Sequence, residues 1–269
     1  MYGRGEIFMS CVTERIRMVK QPYGGYLNKK QFDITIIDNE EILNETENIH
    51  ASLVGLAVDY LTRFMMGTSV KEAFKISLEG ALCCDLFSLN KEGEASRNAK
   101  KLLNGIRGLD DESVSNACKL VGYDVCFRAG MKYYKPVEEI NPDSDTIENI
   151  VIMVKRSLAF WKEYGPIIKD GFTFEGGGYT DIVTSGDGDY LTKDTLWDFK
   201  VSKEEPKSKY TLQLLMYYSM GCHSIHPEFK KIDKLGIFNP RKNKVYVANI
   251  SSISSEIIEK VSQEVIGYK

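Results

Sequence analysis

GDGDYLTKDTLWDFKVSKEEPKSKYTLQLLMYY, from Gly186 to Tyr218, decides the fold of this chain, because it holds two strand patterns, a turn and the first part of a helix. Residues two apart on a strand face the same side, so Asp198 and Lys200 project together, while Trp197 and Phe199 face the opposite way. The face that carries Trp197 and Phe199 is therefore expected to pack against helices. A carboxylate and an ammonium on one side of a core strand are costly to bury without compensation.

The strand pattern that precedes this one, GDYLT, supplies a second carboxylate. A short KD turn between the two patterns predicts a hairpin in which Asp189 lies beside Asp198. The pattern GYTDIVTS offers a different neighbour for the strand and would bring Asp181 to the pair instead. Two oxygen ligands on adjacent strands suit Mg²⁺, whose other positions go to water and substrate phosphate. We expect Mg²⁺ or Mn²⁺ here, held by Asp198 with Asp189, or with Asp181 as the alternative.

Lys200 would then lie close to this metal. There it could orient the attacking water, lower the pKa of that water or stabilise charge on the phosphate in the transition state. The acid-x-Lys triplet alone is weak support, because it recurs at Glu205 and at Glu228. At Glu205 a proline excludes a central strand, and no acidic strand precedes Glu228. Only the triplet at Asp198 has an acidic strand before it and a helix after it.

The rest of the chain predicts an α/β protein with a mixed central sheet flanked by helices and a large helical lobe at about 45–165. Start and stop signals place helices from Thr46 to Met66, from the capping box at Ser69 onward, over Ala95–Ile106 and Ser113–Arg128, and from Asp145 to Tyr164. Strands are expected at FDITIID (32–38), FTFE (172–175), GYTDIVTS, GDYLT, TLWDFKVS, KLGIF (234–238) and KVYVANI (244–250), with helices at Ser208–Met220 and after Ser251. Because no linker separates these regions, one domain over 1–269 is expected, with its core at about 170–250.

The run SGDGDYL, TLWDFKVSK and QLLMYY resembles the PD-(D/E)XK nuclease superfamily, in particular its RecB-like branch. The resemblance covers about residues 170–250 and implies a restriction-endonuclease-like fold that cleaves DNA with Mg²⁺ or Mn²⁺. Carried over residue by residue, it implies that Asp189 and Asp198 are metal ligands, that Lys200 is the catalytic lysine, and that Gln213 and Tyr217 are the helix motif. Gln213 and Tyr217 share a helix face, although Tyr217 could equally be a core residue.

The resemblance extends upstream more loosely. Many RecB-like members also use a helical His or Glu far upstream, and Glu47 and His50, one turn apart in ENIHASLVG, are the candidates for further metal ligands. The long gap from His50 to the hairpin departs from the family's core. The cysteine cluster of its iron–sulfur members is absent, so no iron–sulfur cluster is expected.

Composition limits the partners that can be expected. The net charge of −3 gives no global attraction to nucleic acid, so any DNA-binding surface must be local. Lys203, Lys207 and Lys209, beside the expected site, would serve phosphate binding together with Tyr217, although solvated loops explain the lysines as well. The chain has no signal-like start and no apolar run long enough for a membrane helix, so a cytoplasmic protein without a membrane partner is expected.

Two other classes of function stay open. One keeps the fold but loses catalysis, as an inactive nucleic-acid-binding or protein-assembly module with a vestigial site. The other is a helical protein-interaction scaffold, in which the lobe carries the function and the acidic strands are surface.

Overall fold

Ten α-helices and eight β-strands form the described part of this computed structural model, which comprises residues 10–37, 41–87 and 93–269. The helices are α1 (Val12–Met18), α2 (Ala51–Met65), α3 (Val70–Ala73), α4 (Lys75–Phe87), α5 (Glu94–Asn104), α6 (Asp111–Leu120), α7 (Asp124–Arg128), α8 (Ser144–Tyr164), α9 (Ser208–His223) and α10 (Ser255–Lys260), followed by a π-helical segment at Val261–Ile266. The strands are β1 (Ser10–Cys11), β2 (Asp33–Ile36), β3 (Lys169–Phe172), β4 (Val183–Ser185), β5 (Gly188–Leu191), β6 (Thr195–Phe199), β7 (Lys234–Asn239) and β8 (Lys244–Asn249).

The chain divides into two compact units, and the division falls within α8. Of the described residues, the sheet unit comprises 10–37 and 161–269, and the helical unit comprises 41–87 and 93–160. The helical unit corresponds to the helical lobe expected at about 45–165, and the sheet unit contains the expected core at 170–250. Across the described residues, no helix combines the length and the apolar character that crossing a lipid bilayer requires.

A six-stranded mixed sheet, in the order β2-β8-β7-β6-β5-β3, forms the centre of the sheet unit. β3, β5 and β6 are joined antiparallel, β7 runs parallel to β6 after the α9 crossover, and β8 and β2 complete the sheet antiparallel. β4 belongs to a separate two-stranded sheet, in which it pairs with β1. The mixed α/β class with a sheet flanked by helices is therefore confirmed.

The alternation of side chains in β6 gives the sheet two different faces. Leu196 joins the core that contains the apolar side of α9, including Leu212 and Met216. On the opposite face, Trp197 meets Tyr164 at the end of α8, with 5.3 Å between ring centroids. Gly236 on β7 makes room for the Trp197 ring, because a Cβ there would lie 2.2 Å from a ring carbon. Helices thus cover both faces of β6, as its continuous apolar pattern requires.

Most expected elements occur close to their expected positions, with two corrections in the sheet unit. FTFE is not a strand: β3 ends at Phe172, where FTFE begins, because the chain then turns through Gly176 with φ of 77°. The N-terminal part, for which no helix was expected, forms β1 and α1. The strand expected at FDITIID is present as β2, and Asp38 at its expected end lies outside the described residues.

The helical unit contains one correction that bears on function. α2 begins at Ala51 rather than near Thr46, and His50 is its N-cap residue. The preceding segment is held against α8 instead: the Asn48 backbone N–H donates to Thr146 Oγ1 (3.0 Å) and the Asn44 N–H donates to Asn149 Oδ1 (2.7 Å). Side chains of α8 thus satisfy the backbone N–H groups of Asn44 and Asn48 outside any helix.

Candidate functional site

The hairpin of β5 and β6 brings two carboxylates together. Tyr190 lies opposite Trp197, and Leu191 lies opposite Leu196. Continuing this register by one residue sets Asp189 opposite Asp198, on the same face of the sheet as Leu196. The hairpin expected from GDYLT and TLWDFKVS is therefore present, and with it the neighbouring positions of the two acidic residues.

Asp189 is fixed by the backbone of the neighbouring strand. Its Oδ2 accepts a hydrogen bond from the Phe199 backbone N–H at 2.8 Å. One residue further, the Lys200 N–H donates to the Phe238 carbonyl of β7 at 2.9 Å, although β6 itself ends at Phe199. The end of β6 is thus held from both sides, by a side chain of β5 and by the backbone of β7, which fixes the direction in which Lys200 leaves the strand.

Asp198 has one oxygen engaged and one oxygen without a partner. Lys200 Nζ donates to Asp198 Oδ1 at 2.7 Å, and the side chains are 23% and 1% exposed, respectively. Asp198 Oδ2 is buried and accepts no hydrogen bond from the described residues. Such an oxygen is rare in a native fold and costly, unless a ligand or ion completes it.

The burial of Asp198 and Lys200, together with the charges around them, shifts the pKa values of both groups. Burial raises the pKa of the Asp198 carboxyl; the Lys200 ammonium opposes the rise, and the Asp189 carboxylate adds to it. Burial alone would lower the pKa of Lys200, but the carboxylates of Asp198 and Asp189 outweigh it, so the net shift of its pKa is upward. Lys200 is therefore an ammonium at neutral pH, and two carboxylates compete for a single positive charge.

These residues suit a hard divalent cation. Two carboxylates on adjacent strands, one with an unpartnered buried oxygen, are a set of oxygen donors of the kind that Mg²⁺ and Mn²⁺ bind. Among residues 10–37, 41–87 and 93–269, no cluster of three or more His, Cys, Asp or Glu has metal-binding geometry. The protein would thus supply two carboxylates, which is the usual contribution to a Mg²⁺ site that also binds phosphate.

Gln213 and Tyr217 on α9 form a second layer behind the carboxylates. Gln213 Nε2 donates to the Tyr217 hydroxyl at 2.8 Å. The Tyr217 ring is buried and stacks on Phe174 at 5.3 Å, so it is a core residue. Burial raises the pKa of Tyr217 well above its usual value, and the nearby Asp189 adds to this rise. Tyr217 is thus a buried core residue close enough to Asp189 to feel its charge, and its assignment to nucleic-acid binding stays a prediction.

The loop lysines expected to bind phosphate follow directly after the site. Lys203, Lys207 and Lys209 are all exposed. Lys207 forms an ion pair with Glu204, and the Lys209 ammonium lies 4.8 Å from the centre of the Tyr210 ring. The structure therefore presents two cations between β6 and α9 and a third in the first turn of α9, and their role in DNA binding stays a prediction.

The upstream candidates Glu47 and His50 belong to the helical unit. Glu47 Oε1 accepts from Asn149 Nδ2 at 3.2 Å, and His50 Nδ1 accepts from the Ser52 backbone N–H at 3.2 Å as the cap of α2. They precede the first turn of α2, so the expectation that they lie one turn apart on a helix is wrong. Both have structural partners within their unit, and their assignment as metal ligands stays a prediction.

The alternative expectation, in which GYTDIVTS pairs with the strand that carries Asp198, is wrong. GYTDIVTS contributes β4, which pairs with β1 and not with β6. Asp181 lies before β4 and is exposed. The Thr180 hydroxyl and backbone, rather than a pairing with β6, order this segment, since Thr180 Oγ1 accepts from the Val183 N–H at 3.0 Å. The geometry therefore favours Asp189 over Asp181 as the partner of Asp198.

Two side chains near the site were not expected from the sequence. Glu205 Oε1 accepts from Lys244 Nζ at 2.8 Å, and Glu205 also bonds the Tyr246 hydroxyl, which ties the loop after Lys200 to β8. The Tyr210 ring lies 5.5 Å from Lys200 Nζ. A signal for Tyr210 was present, because it lies three and seven residues before Gln213 and Tyr217, and hence on their helix face. No comparable signal marked Glu205.

A cavity of about 670 Å³ in the helical unit is a second place where a ligand could bind. Its lining includes Asp85, Arg97, Asn98 and Glu138, so charges of both signs occur. Several of these polar groups already form hydrogen bonds within the helical unit. Asp85 accepts from the first N–H groups of α5, and Asn98 donates to Glu138 at 2.9 Å. Among the described residues, the cavity therefore offers fewer buried polar groups without a partner than the hairpin of β5 and β6 that carries Asp189 and Asp198, called the acidic hairpin below.

Comparison of the chain with family models, curated proteins and solved structures finds no match. The site must consequently be judged on its own geometry.

Proposed function

We propose that the protein is a metal-dependent nuclease that hydrolyses DNA phosphodiester bonds, with a restriction-endonuclease-like fold of the RecB-like PD-(D/E)XK type. The observation that carries the proposal is the acidic hairpin itself. Asp189 stands opposite Asp198 in the strand register, Asp198 keeps one buried oxygen without a partner, and Lys200 bonds the other. The Gln213–Tyr217 pair on the following helix supports the same arrangement.

Asp189 and Asp198 would hold Mg²⁺ or Mn²⁺, with the Asp198 Oδ2 as the clearest vacant donor. When bound, the ion supplies Lewis-acid polarisation of the phosphate and a lower pKa for water. Neighbouring groups of the protein hold the two carboxylates in place and favour their ionised forms. The hydrogen bond from the Phe199 N–H to Asp189 serves this purpose, as does the ammonium of Lys200 beside Asp198.

Lys200 is the residue that acts on the reacting phosphate. In hydrolysis, the oxygen of water adds to phosphorus and the ester P–O bond breaks, which leaves a phosphate monoester and an alcohol. Negative charge accumulates on the phosphate oxygens in between, and a nearby ammonium stabilises it. Because its pKa is raised, Lys200 is protonated and acts as a cationic hydrogen-bond donor rather than as a base.

A catalytically inactive nucleic-acid-binding or assembly module is the second candidate. The observation in its favour is the closed Lys200–Asp198 pair, since a buried ion pair of 2.7 Å can be purely structural. The unpartnered second oxygen of Asp198 counts against it, because a structural ion pair would be expected to have all its atoms satisfied. An interaction scaffold based on the helical unit would explain neither feature.

The test is a cleavage assay on plasmid, linear duplex, single-stranded DNA and RNA, with Mg²⁺, Mn²⁺ or EDTA. We expect DNA cleavage that requires a divalent ion, and a loss of about 100-fold or more in Lys200→Met, since removing one charge-stabilising group costs about 10²–10³ in rate. Lys234→Met is the matched control, because Lys234 also bonds an aspartate, Asp194 at 2.5 Å, at the far end of the β6–β7 ladder.

Full cleavage by Lys200→Met would refute the assigned role of the lysine. Absence of cleavage of every substrate under all metal conditions would favour the inactive module. Cleavage of RNA alone would keep the chemistry but replace the substrate.

A further inference from the structure

We propose that Tyr210 is a positioning residue that holds the Lys200 ammonium through the face of its ring. The consequence for cleavage rests on the proposed nuclease function, whereas the contact itself does not. Lys200 Nζ lies 5.5 Å from the ring centroid of Tyr210 and 2.7 Å from Asp198 Oδ1. Cation–π attraction operates within about 6 Å of a ring centroid. The ammonium is therefore held by two groups, one on β6 and one on α9.

Tyr210 is well placed for this role because its ring is itself fixed. It lies in the first turn of α9, where its backbone N–H donates to the Lys207 carbonyl at 2.8 Å. Its ring is half-buried against the apolar core of the sheet unit. A ring held by packing restricts a flexible lysine at little further entropic cost.

Asp198 and the Tyr210 ring attract the Lys200 ammonium from two different elements. Asp198 draws the ammonium toward the buried carboxylate, and without a second partner Lys200 would lie along that direction only. The ring of Tyr210 gives the side chain, which is 23% exposed, a second attractive surface. The exposed Lys209 ammonium lies 4.8 Å from the same ring.

The test compares Tyr210→Phe with Tyr210→Leu. Phenylalanine keeps the ring face, whereas leucine keeps only apolar volume. In metal-free protein with ¹³C-labelled lysine, the Lys200 signal is identified by its absence in Lys200→Met. We expect the side-chain ¹H–¹³C signal of Lys200 to keep its chemical shift in Tyr210→Phe and to lose the ring-current displacement in Tyr210→Leu. In the cleavage assay we expect Tyr210→Leu to lower kcat about tenfold with little change in KM, and Tyr210→Phe to restore it to within about threefold.

Tyr218→Leu is the matched control, because Tyr218 is also half-buried on α9 against the same core, and no lysine faces its ring among the described contacts. If Tyr210→Leu does not fold, Tyr210→Met, with an unbranched side chain, takes its place. An unchanged Lys200 side-chain chemical shift in the leucine or methionine variant would overturn the proposal. So would a phenylalanine variant that behaves like leucine, because the hydroxyl and not the ring would then matter. A protein that cleaves nothing but shows the expected pattern of Lys200 chemical shifts would refute the nuclease and leave the contact intact.

Discussion

At the scale of single residues, the site consists of groups that a purely structural strand would avoid. Asp198 is 1% exposed and shares one ammonium with a second carboxylate. Apolar residues of similar size often replace such buried ion pairs at no cost or with a gain in stability. The proposed divalent ion would offset the energetic cost of burying Asp198.

This cost predicts a pH dependence for the metal-free protein. The pKa of Asp198 is raised in the folded state above its ordinary value of 3.8, so its contribution to stability is full below that value and is lost as the pH rises through the folded pKa. The raised pKa of Lys200 gives the same trend, a loss of stability as the pH rises, but only at alkaline pH, above its ordinary value of 10.5. Between pH 4 and 8, ionisation of Asp198 should therefore destabilise the fold.

We accordingly expect Asp198→Asn to be as stable as the unchanged protein at pH 7, or more stable by up to about 2 kcal/mol, with the difference shrinking toward pH 4. Urea unfolding in EDTA across this pH range measures it. A loss of more than about 2 kcal/mol at pH 7 would mean that Asp198 and Lys200 form a stabilising structural pair.

At the scale of elements, the segment between β6 and α9 is anchored more firmly than a solvated loop. Asn239 Nδ2 donates to the Ser202 carbonyl at 2.8 Å, and Glu205 bonds both Lys244 and Tyr246 of β8. The hydrogen bonds from Lys244 and Tyr246, partly opposed by desolvation, lower the pKa of Glu205 to about 2. The anchor is consequently complete at neutral pH, and it holds the exposed lysines of the segment near the acidic hairpin.

This anchored segment predicts a measurable electrostatic contribution to DNA binding. A combined Lys203→Ala, Lys207→Ala and Lys209→Ala variant should bind duplex DNA more weakly, and the slope of log affinity against log salt should decrease by about one to three, since each lost phosphate contact removes about 0.9. Fluorescence anisotropy with EDTA between 50 and 200 mM salt measures this slope. An unchanged slope would mean that these lysines only interact with solvent.

The elements also indicate what the sequence could predict. The hairpin of β5 and β6 was predictable, because period-two alternation and a two-residue turn fix the register that pairs Asp189 with Asp198. The end of β3 at Phe172 was not predictable, because FTFE consists of residues that favour strands. Only the turn at the later Gly176 shows that the strand ends early. The start of α2 was missed because its flanking segment bonds to α8, a distant contact that no local pattern reveals.

At the scale of the whole molecule, the sequence predicted the order of helical and strand-containing segments better than the details of the site, while the single domain expected over 1–269 stays a prediction. The change from helical to strand periodicity after Tyr164 is visible in the chain, and it lies close to the boundary between the two units. The roles of Tyr210 and Glu205 depend on where α9 and β8 meet the loop after Lys200, and such long-range packing has no sequence period. The net charge of −3 likewise says nothing about the local cluster of lysines.

The central claim is that Asp189 and Asp198 together form the site of a divalent ion. Calorimetric titration with Mn²⁺ and Mg²⁺ tests it most directly, on the unchanged protein, Asp189→Asn and Asp181→Asn. Both variants remove one negative charge, but only Asp189 lies opposite Asp198 on β5, whereas Asp181 is exposed before β4. We expect Asp189→Asn to weaken binding at least about tenfold, because one of two charged ligands is lost, and Asp181→Asn to change it less than about twofold. Loss of binding in Asp181→Asn with retention in Asp189→Asn, or no binding by the unchanged protein, would contradict the claim.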